Sequence, residues 1–250
     1  MNIILTELKK IRHRHIGLLY GATLFLIFIW MMWAMRDMDD VITQQGYYYM
    51  LLSLPLMNGI FLPTILACVE SRLCDIEIKG NTYKLLCTMQ PRHSIYHIKL
   101  LFGILYLLFF SLAETAMIPL LGKLFQVEQE MPADSVFIFL FSTFTVSTVL
   151  ILIQQPLSLL WENQLFPLFF GVGGTFAGIF SWFFPQLPIR YMLPWGYYCV
   201  GTDINMYYEE ATRTITYYTI PFPKEFFTGF IIFGILVYII GKNRFMKKEV

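Results

Sequence analysis

His93 and His97 stand four residues apart, a spacing that puts two imidazoles on one helix face, where they could hold a metal or titrate near neutral pH. The plainer alternative makes both of them polar positions on a basic surface segment. His13 and His15 alternate with Arg12 and Arg14, as expected of a strip lying against anionic lipid headgroups. Glu114 is different in kind. This reading makes it the one carboxylate well inside an apolar run, and an ionisable group at membrane depth is a functional candidate because leaving it there unpaired is costly. Its alternatives are a structural hydrogen bond to Ser111, Thr115 or a neighbouring helix, or a place near enough to the outer surface to reach water. Motif chemistry is otherwise missing from the sequence: it has no GxxxxGKS/T phosphate loop and no HExxH or CxxC metal spacing. No catalytic residue, resident cofactor or metal site is therefore expected. Any ATP-driven work would need a motor on another polypeptide.

The elements that would position these residues follow from composition. Hydrophobic residues fill 57% of the 250 positions and charged residues only 14%, too little polar surface to cover a soluble domain. Spanning helices need about 20 apolar residues, because the hydrocarbon core offers no water to free backbone groups. Six such windows are present, near Gly17 to Met35, Met50 to Val69, Leu100 to Leu121, Val136 to Leu160, Leu165 to Phe184 and Phe226 to Ile240. The expected fold is an all-α membrane protein, one membrane domain over 1–250 without repeats or a soluble domain. Ahead of the first span, Ile4, Leu5, Leu8 and Ile11 recur at helical spacing among charges, which predicts an interfacial helix over 1–16.

Orientation follows from the cations, since Lys and Arg near span ends stay cytoplasmic. Lys9, Lys10, Arg12 and Arg14 precede the first span, Arg72, Lys79, Lys84, Arg92 and Lys99 lie between spans two and three, and Lys242, Arg244, Lys247 and Lys248 follow the last. Arg36, Lys123, Arg190, Arg213 and Lys224 are left for the other side, among more numerous acids. Both termini are expected inside. Cys68, Cys74 and Cys87 then fall on or near the reducing side and Cys199 outside, so no disulfide is expected.

The polar segment 70–99 is the most informative stretch. It reads Glu77-Ile-Lys-Gly80-Asn81-Thr-Tyr83-Lys84-Leu85-Leu86, then Pro91, Ile95-Tyr96 and Lys99-Leu100, the plan of an amphipathic helix closed by a proline. Together with the basic N-terminal helix and six spans, this segment resembles type-2 ABC transporter permeases. The pattern E-x-x-G-N-x-x-K-L-L, then Pro, then I-Y-x-x-K-L, is similar to the subfamily that protects bacteria against lantibiotics and related peptide antibiotics, although Tyr83 stands where that subfamily often has Trp.

The resemblance implies a cytoplasmic coupling helix docking on a separate ABC ATPase, with Glu77, Gly80, Asn81, Tyr83, Lys84, Leu85, Leu86, Pro91, Tyr96 and Lys99 at or beside the contact. It implies a pair of those ATPase subunits holding ATP and Mg, a second permease subunit that is identical or homologous, a cationic peptide substrate, no nucleic acid, and a place in the bacterial cytoplasmic membrane.

The segment 185–225 is expected to form an aromatic-rich extracellular cap, since Pro185, Pro188, Pro194, Pro221 and Pro223 interrupt any helix. Within it Leu193-Pro194-Trp195-Gly196-Tyr197 resembles a Pro-Trp-aromatic element at the outer end of such permeases, although Trp and Tyr gather at membrane interfaces in any case. Pro194, Trp195 and Tyr197 join Glu114 as candidate substrate-path residues. Gly174 and Gly178 form a GxxxG pair in span five, read as a helix-packing surface. The function expected is export of a lantibiotic-like peptide. Its rivals are a permease of the same type for lipid, polysaccharide or a small drug, and an immunity protein that works without ATP.

Overall fold

The computed structural model describes residues 3–11, 14–36, 39–80, 85, 90–184, 188–210 and 213–248, with the side chains of 3–6, 39–43 and 77–79 excepted. The described helices are α1 (Ile3–Ile11), α2 (Ile16–Ala34), α3 (Asp39–Lys79), α4 (Arg92–Leu124), α5 (Ala133–Leu160), α6 (Leu165–Trp182), the short α7 (Ile189–Met192) and α8 (Tyr197–Val200), and α9 (Lys224–Met246). A 3-10 turn, Pro194–Gly196, joins α7 to α8, and strands β1 (Ile204–Glu209) and β2 (Thr214–Thr219) precede α9. Six of the helices, α2 to α6 and α9, are long and apolar enough to cross a membrane. The chain is a multi-pass membrane protein.

Spans two and three outrun their expected limits. The apolar part of α3 covers Gln44–Ile76 and α4 covers Arg92–Leu124, 33 residues each. At 1.5 Å per residue either is about 50 Å long, against a hydrocarbon core of roughly 30 Å. Only Gln45 departs from helical geometry inside α3, at φ −138 and ψ 25. Pro55, Pro63, Pro119 and Pro156 are carried within helices, as a bundle allows when neighbours re-satisfy the freed backbone groups. On α5, Gln155 Nε2 donates to the Tyr96 carbonyl of α4 at 2.8 Å, and Gln154 donates to the Pro167 carbonyl of α6.

α3 is the central helix, packed on α2, α4, α5 and α6, while α9 leans on α5 and shows most of its surface outward. Polar clasps mark the two ends of the bundle. At the end that holds the termini, Arg72 donates to the Arg14 carbonyl at 2.9 Å, Arg92 to the carbonyls of Met246 and Lys248, and Lys248 Nζ to the Leu159 carbonyl at 3.0 Å. Cations thus close the C-terminal ends of α5 and α9, where unpaired carbonyls and the helix dipole favour positive charge. At the opposite end Gln129 Oε1 accepts from the Tyr47 N–H, Gln45 Oε1 from the Tyr217 N–H, and Ser135 donates to Asp203 at 2.6 Å.

The aromatic-rich segment at that opposite end also holds two strands, which the proline pattern alone did not indicate. β1 and β2 pair antiparallel in the register Ile204 to Thr219, with Met206 opposite Tyr217, so a small hairpin sits in an otherwise helical chain. Its β-branched and aromatic residues favour strand pairing, and only Ile204 and Tyr217 of the pair are buried. Before it, the segment from Pro188 to Gly201 folds back into the bundle. Gly201 packs on Ser142 and Phe227, and Tyr198 reaches Ser147 near the middle of α5.

Candidate functional site

Glu114 is fully buried on α4. Asn58 Nδ2 on α3 donates to its Oε2 at 3.1 Å and also lies 3.4 Å from Thr143 Oγ1 on α5. The neighbouring helix therefore supplies the bond. Ser111 and Thr115 do not, since the Thr115 hydroxyl donates instead to the Ser111 carbonyl at 2.8 Å, and the absence of exposure excludes a surface position. From the cap side Tyr198 is buried against α5, its hydroxyl 2.7 Å from Ser147 Oγ, one helical turn from Thr143. Asn58 of α3 thus links the Glu114 carboxyl of α4 to Thr143 of α5, one turn from the serine that the inserted cap contacts. Asn58, Thr143, Ser147 and Tyr198 were not singled out from the sequence; small polar residues inside apolar runs were the available signal.

The expected substrate-path residues do not converge. Tyr197 is buried against α9, its ring 3.9 Å from that of Phe230 and its hydroxyl donating to the Tyr191 carbonyl at 2.9 Å. Pro194 and Trp195 instead line a groove between α5, α6 and α9. The GxxxG pair is not a seam between spans. The Trp195 indole lies on Gly174, and a Cβ on Gly178 would stand 2.8 Å from that of Trp195. Small residues admit a close neighbour here as predicted, but the neighbour is the cap. Gly171, one turn on, meets Ala67 of α3.

Glu114 is also not alone, because Glu70 of α3, expected in the polar segment, is fully buried inside the bundle. Its carboxyl fills the notch at Gly103 of α4, where a Cβ would collide with Oε1. Lys99, expected on the docking surface, is buried too: its Nζ donates to the Leu73 carbonyl and lies 4.0 Å from Glu7 of α1. Glu7 pairs with Lys10 at 2.6 Å as well. The face of α1 turned to the bundle therefore carries Glu7 and Ile11, while Leu8 points outward. Tyr96 is likewise buried, among Phe245, Tyr238 and His97, and His97 Nε2 stands 2.8 Å from the Tyr238 hydroxyl. Tyr96 and Lys99 are thus positions that join α4 to α9 and α1, and they are not surface contacts. No cluster of metal-ligating side chains occurs among the described residues.

The remaining coupling positions flank the segment. Gly80 ends α3 with its N–H on the Ile76 carbonyl, Pro91 is exposed and caps α4 at φ −67, and Leu85 is helical and 61% exposed. Asn81, Tyr83, Lys84 and Leu86, and the side chain of Glu77, lie outside the described residues. Two long helices, six spans and an N-terminal helix clasped to the bundle set the frame for the family comparison. Residues 3–178 match the family described as ABC-2 family transporter protein.

The chain belongs to the ABC-2 transporter family. Members of that family are the membrane components of ABC exporters and work with a separate ABC ATPase. The matched stretch takes in α1 to most of α6 of this ABC-2 permease and stops before the inserted cap and α9. No curated protein and no solved structure matches the chain.

Proposed function

We propose that this ABC-2 permease expels a cationic, amphipathic peptide of the lantibiotic kind from the membrane, giving immunity or resistance. The observation that carries the reading is the segment between α3 and α4. Its residues Glu77, Gly80, Asn81, Lys84, Leu85, Leu86, Pro91, Ile95, Tyr96, Lys99 and Leu100 resemble those of the peptide-protection permeases. Helices longer than the hydrocarbon core is thick run up to it from both sides, which supports its use as a stiff lever. The cations clustered at the termini end support a cytoplasmic position for that end. Closure of a pair of partner ATPases holding ATP and Mg would press on Lys84 and Leu85. The Glu7, Lys99 and Glu70 region would carry that thrust into α1, α3 and α4. The junction of Glu114 with Asn58 and Tyr198 would then yield, freeing the cap that Trp195 and Tyr197 hold down.

Replacing Lys84 and Leu85 together by Glu tests the lever. Loss of peptide resistance and of the co-purifying ATPase, with the protein still in the membrane, is the expected result; unchanged resistance removes the model. The substrate is tested by stimulation of ATP hydrolysis in the purified complex. Stimulation by a cationic peptide supports the reading, whereas stimulation by lipid, polysaccharide or a small drug transfers the same frame to that cargo. A preparation that confers immunity without any ATPase would make this a stand-alone immunity protein.

A further inference from the structure

A groove of about 500 Å³ runs between α5, α6 and α9 along the side of the bundle. Ile153, Leu157, Phe170, Phe233 and Val237 form its walls, and Phe170, Phe233 and Ile240 show 40% or more of their surface, so the groove opens outward toward lipid. Trp195 stops one end, held on Gly174 and Gly178 and set edge-on to the Phe170 ring at 5.4 Å. Arg244 stands at the other end, next to the termini. From Phe233 to Arg244 the groove follows about 16 Å of α9. Among the described residues Arg244 has no hydrogen bond or ion pair, and Lys242 and Lys247 are its neighbours on the helix. An apolar slot whose one lining cation, Arg244, stands at its headgroup end is unsuited to a cationic peptide and complementary to an acyl chain carrying an anion.

We propose that this groove is a binding site for an anionic phospholipid of the bilayer, its acyl chain lying between α5 and α9 against Trp195 and its phosphate on Arg244. The bound chain touches the residue by which the cap grips α6, so occupancy braces the cap from the membrane side. The inference does not depend on the peptide-export reading, and its test measures binding rather than transport.

The full chain is placed in nanodiscs with Trp30, Trp33 and Trp182 changed to Phe, leaving Trp161 and Trp195, both of which line the groove. Brominated phosphatidylglycerol and brominated phosphatidylcholine are then compared as quenchers. Half-maximal quenching is expected at a mole fraction about fivefold lower for the anionic lipid, the advantage one cation supplies near an anionic surface. Arg244→Gln, at an exposed position, is expected to abolish the difference. Native mass spectrometry of the otherwise unaltered chain should show retained phosphatidylglycerol that Arg244→Gln loses, which covers the case in which the Trp changes disturb the fold. Equal quenching by the two lipids, a preference that survives Arg244→Gln, or no quenching by either because protein covers the groove would each overturn the proposal.

Discussion

Two buried carboxyls, Glu70 and Glu114, have different surroundings. Glu114 accepts a hydrogen bond from Asn58, whereas Glu70 occupies space left by Gly103 with Lys99 on the neighbouring turn. Removing the donor should therefore hurt more than neutralising the acceptor. Asn58→Ala is expected to cost about 1–3 kcal/mol in thermal unfolding of the detergent-solubilised protein, because a buried carboxyl loses its partner, while Glu114→Gln stays within about 1 kcal/mol. If Glu114 serves transport, the Gln variant will express normally and lose export; equal loss of both would make the residue structural. Cys199 offers a second test at this scale. It is half-buried in the cap, and burial pushes its thiol well above the usual range, with Arg190 pulling the other way. The raised value keeps the reactive thiolate scarce at neutral pH. An impermeant maleimide is therefore expected to label Cys199 slowly in the folded protein, faster only in strongly alkaline buffer, and readily after unfolding in detergent.

Among the elements, the unit that decides the architecture is the inserted cap. Helix α6 carries its small residues where Trp195 lies, and Trp182 Nε1 donates to the Gly196 carbonyl at 3.4 Å, so α6 and the 3-10 turn act as one block. Gly178→Leu would force Trp195 off its seat, since the added side chain meets both the Trp195 Cβ and its backbone. Overpacking of this kind costs about 1–3 kcal/mol. The expected outcome is a lower unfolding midpoint together with cap residues that become open to protease, whereas Gly173→Leu, with nothing within 4 Å, should leave both unchanged.

For the molecule as a whole, the sorting of cations predicts which end faces the cytoplasm. Glu162 and Glu130 are exposed at opposite ends of the bundle, the first beside the C-terminal end of α5 and the second before its start. In a background without native cysteines, Glu130→Cys should react with an impermeant reagent on intact cells, and Glu162→Cys only after the membrane is opened. The reverse pattern would invert the orientation and place the lever on the wrong side for an ATPase.

Apolar runs of spanning length in the sequence were enough to show the number and order of the spans, because lipid leaves the backbone no alternative to a helix. The family frame was legible in the same way, from the basic first helix and the segment after span two. Burial was not legible. Glu70, Tyr96 and Lys99 look like surface positions because they belong to a polar segment, yet α3 and α4 continue past the hydrocarbon core and pack there, so these side chains turn inward. The partner of Glu114 was equally hidden, since Asn58 is 56 positions away and only helix packing brings it near. The fate of Gly174 and Gly178 was likewise decided by the tertiary structure. A GxxxG pair states that something must approach closely, and only the returning chain determines that it is Trp195. Local sequence sets which segments enter the membrane; contacts between distant segments, whose free energy depends on geometry that no single segment contains, decide which residues meet inside it.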